Sequence, residues 1–129
     1  MGELKVSEEA SQKALLIFKN MKSKRGIAIT LQNMGFAEYV RGSISKSAAL
    51  FKDAIDIFRE VYDFPNVARC GKHLANCFID LREKEKAESI LEEAQKINLE
   101  MSEVGNSPEV YISLARLEIL KGNLIKARE

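Results

Sequence analysis

Few side chains in this chain are of the types that carry out chemistry, and their spacing suits it poorly. There is one histidine, His73, with no nucleophile and carboxylate around it in a recognisable catalytic pattern. A surface or hydrogen-bonded histidine is expected. Cys70 and Cys77 are seven residues apart. On one helix their α-carbons lie ~10 Å apart at ~1.5 Å rise per residue, and a disulfide needs less than ~7 Å. One histidine and two such thiols do not make a four-ligand zinc site. Both cysteines are therefore expected to be small buried hydrophobes. Glu92–Glu93 lies in a stretch rich in Lys and Glu, the pattern of a solvated helix face. The glycines are scattered, and no GxxxxGK phosphate loop occurs. No cofactor or metal is expected, and the chain does not read as an enzyme. What remains is binding. Lys72 and Asn76 are four apart and share a helix face. Arg116 lies forty residues beyond Asn76. Lys, Asn and Arg converging on one patch could hold a carboxylate, such as a peptide C-terminus or an acidic side chain. The alternative is an ordinary solvated face.

Forty is the period of the whole chain. Gly35, Ala75 and Ala115 coincide on that shift, as do Tyr39, Ile79 and Ile119, and Ser47, Ala87 and Ala127. Lys46, Lys86 and Lys126 are identical. SQKALLIFK (11–19) overlays FKDAIDIFR (51–59), with Ala14/Ala54, Ile17/Ile57 and Phe18/Phe58 identical. A fixed period in this range marks a solenoid, in which each unit buries its apolar face against its neighbours.

The apolar spacing is helical throughout. A first helix is expected over 6–22, with Ser7 as N-cap and an apolar stripe of Ala10, Ala14, Ile17, Phe18 and Met21. SKRG (23–26) reads as a turn, with Lys22, Lys24 and Arg25 as cations at a helix C-terminus. The second helix spans 27–41 and closes at Gly42. The third starts after Ser43 or Ser45, runs to about 63 and buries Ser47, Leu50, Phe51, Ala54, Ile57, Phe58 and Val61. Asp63–Asn66 breaks it. The fourth spans 67–81, with Leu74, Ala75, Phe78 and Ile79 inward. Arg82 stands where Gly42 and Gly122 stand, so that turn is expected to be made differently. The fifth runs 84–103 along Ala87, Ile90, Leu91, Ala94, Ile97 and Met101. The sixth spans 108–121, and a seventh barely begins at Ala127. Gly35, Ala54, Ala75, Ala94 and Ala115 let paired helices approach to ~8–10 Å.

This layout resembles the tetratricopeptide repeat, in its extended 40-residue form. Gly35, Gly42, Ser47, Phe51 and Ala54 follow the family's pattern of small residue, turn glycine, small residue, large apolar residue and alanine. Ala75, Arg82, Ala87, Leu91 and Ala94 repeat it, and Ala115, Gly122 and Ala127 begin it again. The resemblance implies an all-α, right-handed α-solenoid of antiparallel helix pairs in one domain over 1–129. Its parts would be a leading helix (6–26), two repeats (27–66 and 67–106) and an incomplete third (107–129). The family's usual period is ~34, so forty implies a longer second helix in each pair. Gly71 departs from the large residue found at Leu31 and Tyr111.

In that family the first helices of each pair line a concave groove that holds a partner peptide or helix. The resemblance puts Ile29, Gln32, Phe36 and Tyr39 there, with Arg69, Lys72, Asn76 and Ile79, then Glu109, Ile112, Arg116 and Ile119. Peptide contacts are expected at Gln32, Phe36, Tyr39, Arg69, Lys72, Asn76 and Arg116. The implied function is a non-catalytic protein-interaction scaffold. The alternative is a regulatory or sensor module controlling a fused or associated effector.

Composition narrows the partners. Charge nearly cancels, at +1 overall. Residues 1–66 carry 10 basic and 8 acidic side chains, and 67–129 carry 10 and 11. Neither half has the basic footprint of nucleic-acid binding. No apolar run approaches the ~20 residues of a membrane span, and the polar start MGELKVSEEA is no secretory signal. A cytoplasmic protein is expected. The last helix pair is cut mid-motif, so a fragment of a longer array is expected. The alternative is a homodimer through the uncovered side of the sixth helix.

Overall fold

The computed structural model describes residues 2–101, 115–117 and 119–120, with side chains from Glu8 onward. Helices α1 (Gly2–Asn20), α2 (Lys24–Arg41), α3 (Ile44–Glu60), α4 (Phe64–Asp80) and α5 (Lys84–Met101) follow one another across turns of two or three residues. Residues 115–117 and 119–120 are helical. No strand occurs among the described residues.

The four turns share one construction. Lys22, Gly42, Tyr62 and Arg82 take left-handed backbone, with φ of 58, 87, 58 and 64°. They are twenty residues apart. Each donates its N–H to the carbonyl three residues back: Lys19 (3.1 Å), Tyr39 (3.0 Å), Arg59 (3.1 Å) and Ile79 (3.1 Å). The residues after them, Ser23, Ser43, Asp63 and Glu83, donate to Phe18, Glu38, Phe58 and Phe78, five back, at 2.8–2.9 Å. This pair of bonds is the Schellman closure, which satisfies helix-end carbonyls that would otherwise be orphaned. Those same four residues open the next helix, their carbonyls accepting from Ile27, Ser47, Val67 and Ala87. The turn at Arg82 is therefore made as at Gly42, contrary to the sequence expectation. The paired closing bonds hold an arginine where glycine is only the cheaper choice.

These caps also move the helix starts. The Ser23 hydroxyl accepts from Gly26 N–H at 3.1 Å. The Asp63 carboxylate accepts from Asn66 N–H at 3.4 Å and from its side-chain amide at 2.7 Å. Lys24–Gly26 and Phe64–Asn66 are thus first helical turns, not connections. Pro65 fits because its missing N–H would have had no helical partner. Lys24 and Arg25 sit at a helix N-terminus, where they meet Glu60 (3.1 Å) and Asp63 (3.0 Å) across the turns. Ser7 lies inside α1, whose preceding Leu4 and Lys5 are good helix formers. The expected short–long alternation is absent: α2 to α5 have 18, 17, 17 and 18 residues. Both arms of each pair share the length of the forty-residue unit.

Each helix packs chiefly on its neighbours in sequence. Ser47, Phe51, Ala54, Phe58, Leu74, Ala75, Ile79, Ala87, Leu91, Ala94 and Ile97 are buried as expected. Leu50, Ile57, Val61, Phe78 and Ile90 are half-buried, and Met101 is exposed. Ile55, at 2% exposed, is a core residue the expected stripe omits. Gly35 sets the α2–α3 spacing: a β-carbon there would lie 2.9 Å from the Phe51 ring. At Gly71 the missing side chain admits Ile90 and Ala94 of α5, so that departure closes the packing rather than opening it. The stripe of α1 is only partly covered. Phe18 is half-buried, whereas Ile17 and Met21 are exposed. Cys70 and Cys77 are buried and form no disulfide. Among the described residues no helix is long and apolar enough to cross a membrane. The turn at Gly122 and the start at Ala127 lie outside the described residues, as do Glu109 and Ile112.

Candidate functional site

Arg69, Lys72, His73, Asn76 and Asp80 lie at three- and four-residue steps along α4, so they form one stripe. The contacts of that stripe define its flanks. Phe36 of α2 meets the His73 ring edge-on, with centroids 4.4 Å apart. Tyr39, one turn later on α2, donates its hydroxyl to the Asp80 carboxylate. On the other side Arg116 donates to the Asn76 side-chain oxygen (2.8 Å) and to Asp80 (3.1 Å). The α4 stripe is therefore a floor between α2 and the helical segment carrying Arg116.

The floor has an apolar hollow of about 200 Å³, lined by Phe36, Tyr39, Phe51, His73 and Asn76. Phe51, 1% exposed, reaches it from α3 beneath. Its ring stacks on His73 at 5.6 Å and meets Phe36 edge-on at 5.2 Å. Edge-to-face and offset contacts match the ring quadrupoles and favour this arrangement of the three rings. Beside the hollow runs a polar chain of Tyr39, Asp80, Arg116 and Asn76. The hydrogen bond to Asp80, with partial burial, pushes the Tyr39 phenol above its ordinary pKa.

The structure brings together five of the seven expected contact residues. Phe36, Tyr39 and Asn76 line the hollow, Arg116 reaches Asn76 beside it, and Lys72 stands one turn along the floor from Asn76. Arg69 is exposed further along the stripe. Gln32 is 8% exposed and belongs to the packing of α2, which buries residues all round its axis. Asp80 is the residue that sequence reasoning missed. Its spacing of four from Asn76 was the available signal. No three His, Cys, Asp or Glu among the described residues are grouped to hold a metal.

No family model matches this chain. No curated protein matches it either.

Two further grooves lie between alternate helices, in one register. Glu8, Gln12, Met34, Glu38, Lys46 and Leu50 line one of about 560 Å³. Forty residues on, Ala48, Lys52, Leu74, Phe78, Lys86 and Ile90 line one of about 300 Å³. Glu38, 7% exposed, stands in the first where Phe78 stands in the second. It pairs with Arg41 (3.4 Å) and Lys46 (3.6 Å), and Arg41 also meets Glu8. These ions tie α1 to α2 and α3, which gives them a structural use.

Proposed function

We propose that the chain is a tetratricopeptide-type, right-handed α-solenoid serving as a non-catalytic, cytoplasmic protein-interaction scaffold. Its partner is a peptide or helix held over the α4 stripe. Neighbour-to-neighbour packing and the forty-residue register support the solenoid reading. The observation that carries the binding reading is Phe36. It is 36% exposed, yet its ring packs edge-on against both Phe51 and His73 at the mouth of an apolar hollow. Well-packed, partly exposed aromatic rings beside polar groups are common anchors of protein interfaces.

A photo-crosslinking residue placed at position 36, and separately at Lys96 on α5, tests this in cells. A discrete protein adduct at position 36 and none at 96 is expected. Equal labelling at both, or none at either, overturns the reading.

A further inference from the structure

The Asn76–Arg116 patch has the donors to receive a carboxylate, and it holds one already. Asp80 places an oxygen 3.1 Å from Arg116, while Arg116 also donates to Asn76 at 2.8 Å. The second oxygen of Asp80 takes the Tyr39 hydroxyl. A ligand carboxylate entering here would meet a fixed negative charge and compete for donors already engaged. Like charges in a shared site oppose each other's ionisation and binding.

The neighbouring hollow has the opposite chemistry. Its volume of about 200 Å³ falls below the roughly 300–1,000 Å³ of small-molecule pockets and suits one side chain. Its walls are four aromatic or heteroaromatic rings, Phe36, Tyr39, Phe51 and His73, with Asn76 beside them. One helical turn from His73, Arg69 is exposed and makes no ion pair with any described residue. One turn of helix is ~5.4 Å, the span of one or two residues of extended peptide.

We infer that Asp80 is a specificity-determining residue: its own carboxylate fills the anion seat, so the groove selects an internal peptide segment rather than a chain terminus. That segment seats one large apolar side chain among Phe36, Phe51 and His73, and sets an acidic side chain one or two residues away over Arg69. This deepens the proposed function and rests on its reading of the groove as a peptide-binding face.

The test is selection of random twelve-residue peptides on the whole chain. Affinities of the enriched peptides, as free acids and as C-terminal amides, are then measured by fluorescence anisotropy. Enriched peptides are expected to carry a large apolar residue within two positions of Asp or Glu. Acid and amide should bind within about twofold of each other. Phe36→Ala should weaken both about tenfold, and Arg69→Glu about fivefold with the pocket intact. Asp80→Asn, isosteric and at an exposed position, should bind the free acid about fivefold more tightly than the amide. Circular dichroism checks that each variant keeps its helicity. A wild-type preference of tenfold for the free acid overturns the inference, as does Phe36→Ala binding at wild-type strength. In either case the groove reading stands or falls on its own crosslinking result. Failure to enrich any peptide overturns the inference, and absence of the position-36 adduct as well overturns the groove reading.

Discussion

The hydroxyl of Ser47 donates to the backbone carbonyl of Gly35 at 2.7 Å, inside the α2–α3 interface. Ser47 is fully buried, and the Cys77 thiol of α4 reaches its oxygen at 3.6 Å. Three helices thus meet on one hydroxyl. Ala87 takes the place of Ser47 in the next unit, also fully buried, so the site tolerates the smaller side chain sterically. Ser47→Ala should cost the net worth of a buried hydrogen bond, about 1 kcal/mol. A fall in Tm of roughly 2–6 °C by calorimetry is expected for a chain of this size. No change would mean that the bond adds nothing beyond what water offers the unfolded chain.

Glycine and phenylalanine match in size across the same interface. Gly35 faces Phe51, while Ala75 and Leu91, their counterparts forty residues on, are both fully buried in one cluster. Gly35→Ala should gain about 1 kcal/mol of helix propensity. It should lose more, because Phe51 is enclosed and overpacking costs about 1–3 kcal/mol. Adding Phe51→Leu reproduces the other unit's pair and should restore part of the loss. Urea unfolding of both single variants and the double variant measures the coupling, and strict additivity would refute size matching.

Arg82 and Tyr62 occupy left-handed backbone that costs an L-residue roughly 1–2 kcal/mol. Glycine removes that strain but loses about 0.5–1 kcal/mol of chain entropy. Arg82→Gly and Tyr62→Gly should therefore each stabilise by about 0.5 kcal/mol. Gly42→Ala should destabilise by about 1 kcal/mol. Denaturation midpoints with unchanged m-values check all three.

Burial pushes the Cys70 thiol up from 9.0 to about 12. The folded chain keeps this proton at a pH where the unfolded chain has lost it. Stability is therefore full below the unfolded thiol's pKa and falls as pH rises from there towards 12. The slope from Cys70 reaches about 1.4 kcal/mol per pH unit. Burial raises Cys77 too, despite the opposing hydrogen bond to Ser47, and adds in the same direction. Urea unfolding at pH 7.5, 9 and 10.5 should show this loss, reduced in Cys70→Ala. Alkylation of Cys70 at pH 8 should occur only with unfolding, and rapid labelling of the folded chain would contradict its burial.

Helix propensity and the repeat are local or translational properties, and both could be read directly. So could the closing glycine at 42, the burial of both cysteines and the neighbourhood of Asn76 and Arg116, which follows from a one-unit offset. Three expectations fail, each for its own physical reason. Lys22, Tyr62 and Arg82 carry no glycine signature, yet their turns close as at Gly42. Ser23 and Asp63 start helices earlier than the apolar pattern does, because capping depends on one side chain and not on periodicity. Ile17 and Met21 follow the stripe of α3 but remain exposed, since a stripe says which face is apolar and not whether anything covers it.

The amino-acid sequence by itself determined an all-helical chain, its forty-residue register and the small residues where helices meet. These depend on residue type and spacing along one chain direction. Only the tertiary structure decided that the step between the described turns is twenty residues, with the same two closing bonds at Lys22, Gly42, Tyr62 and Arg82. It alone put Phe51 of α3 beneath Phe36 and His73, and Asp80 in the seat beside Asn76 and Arg116. Such contacts join side chains from three or four helices. Their geometry follows from how closely those helices pack, which no single stretch of sequence encodes.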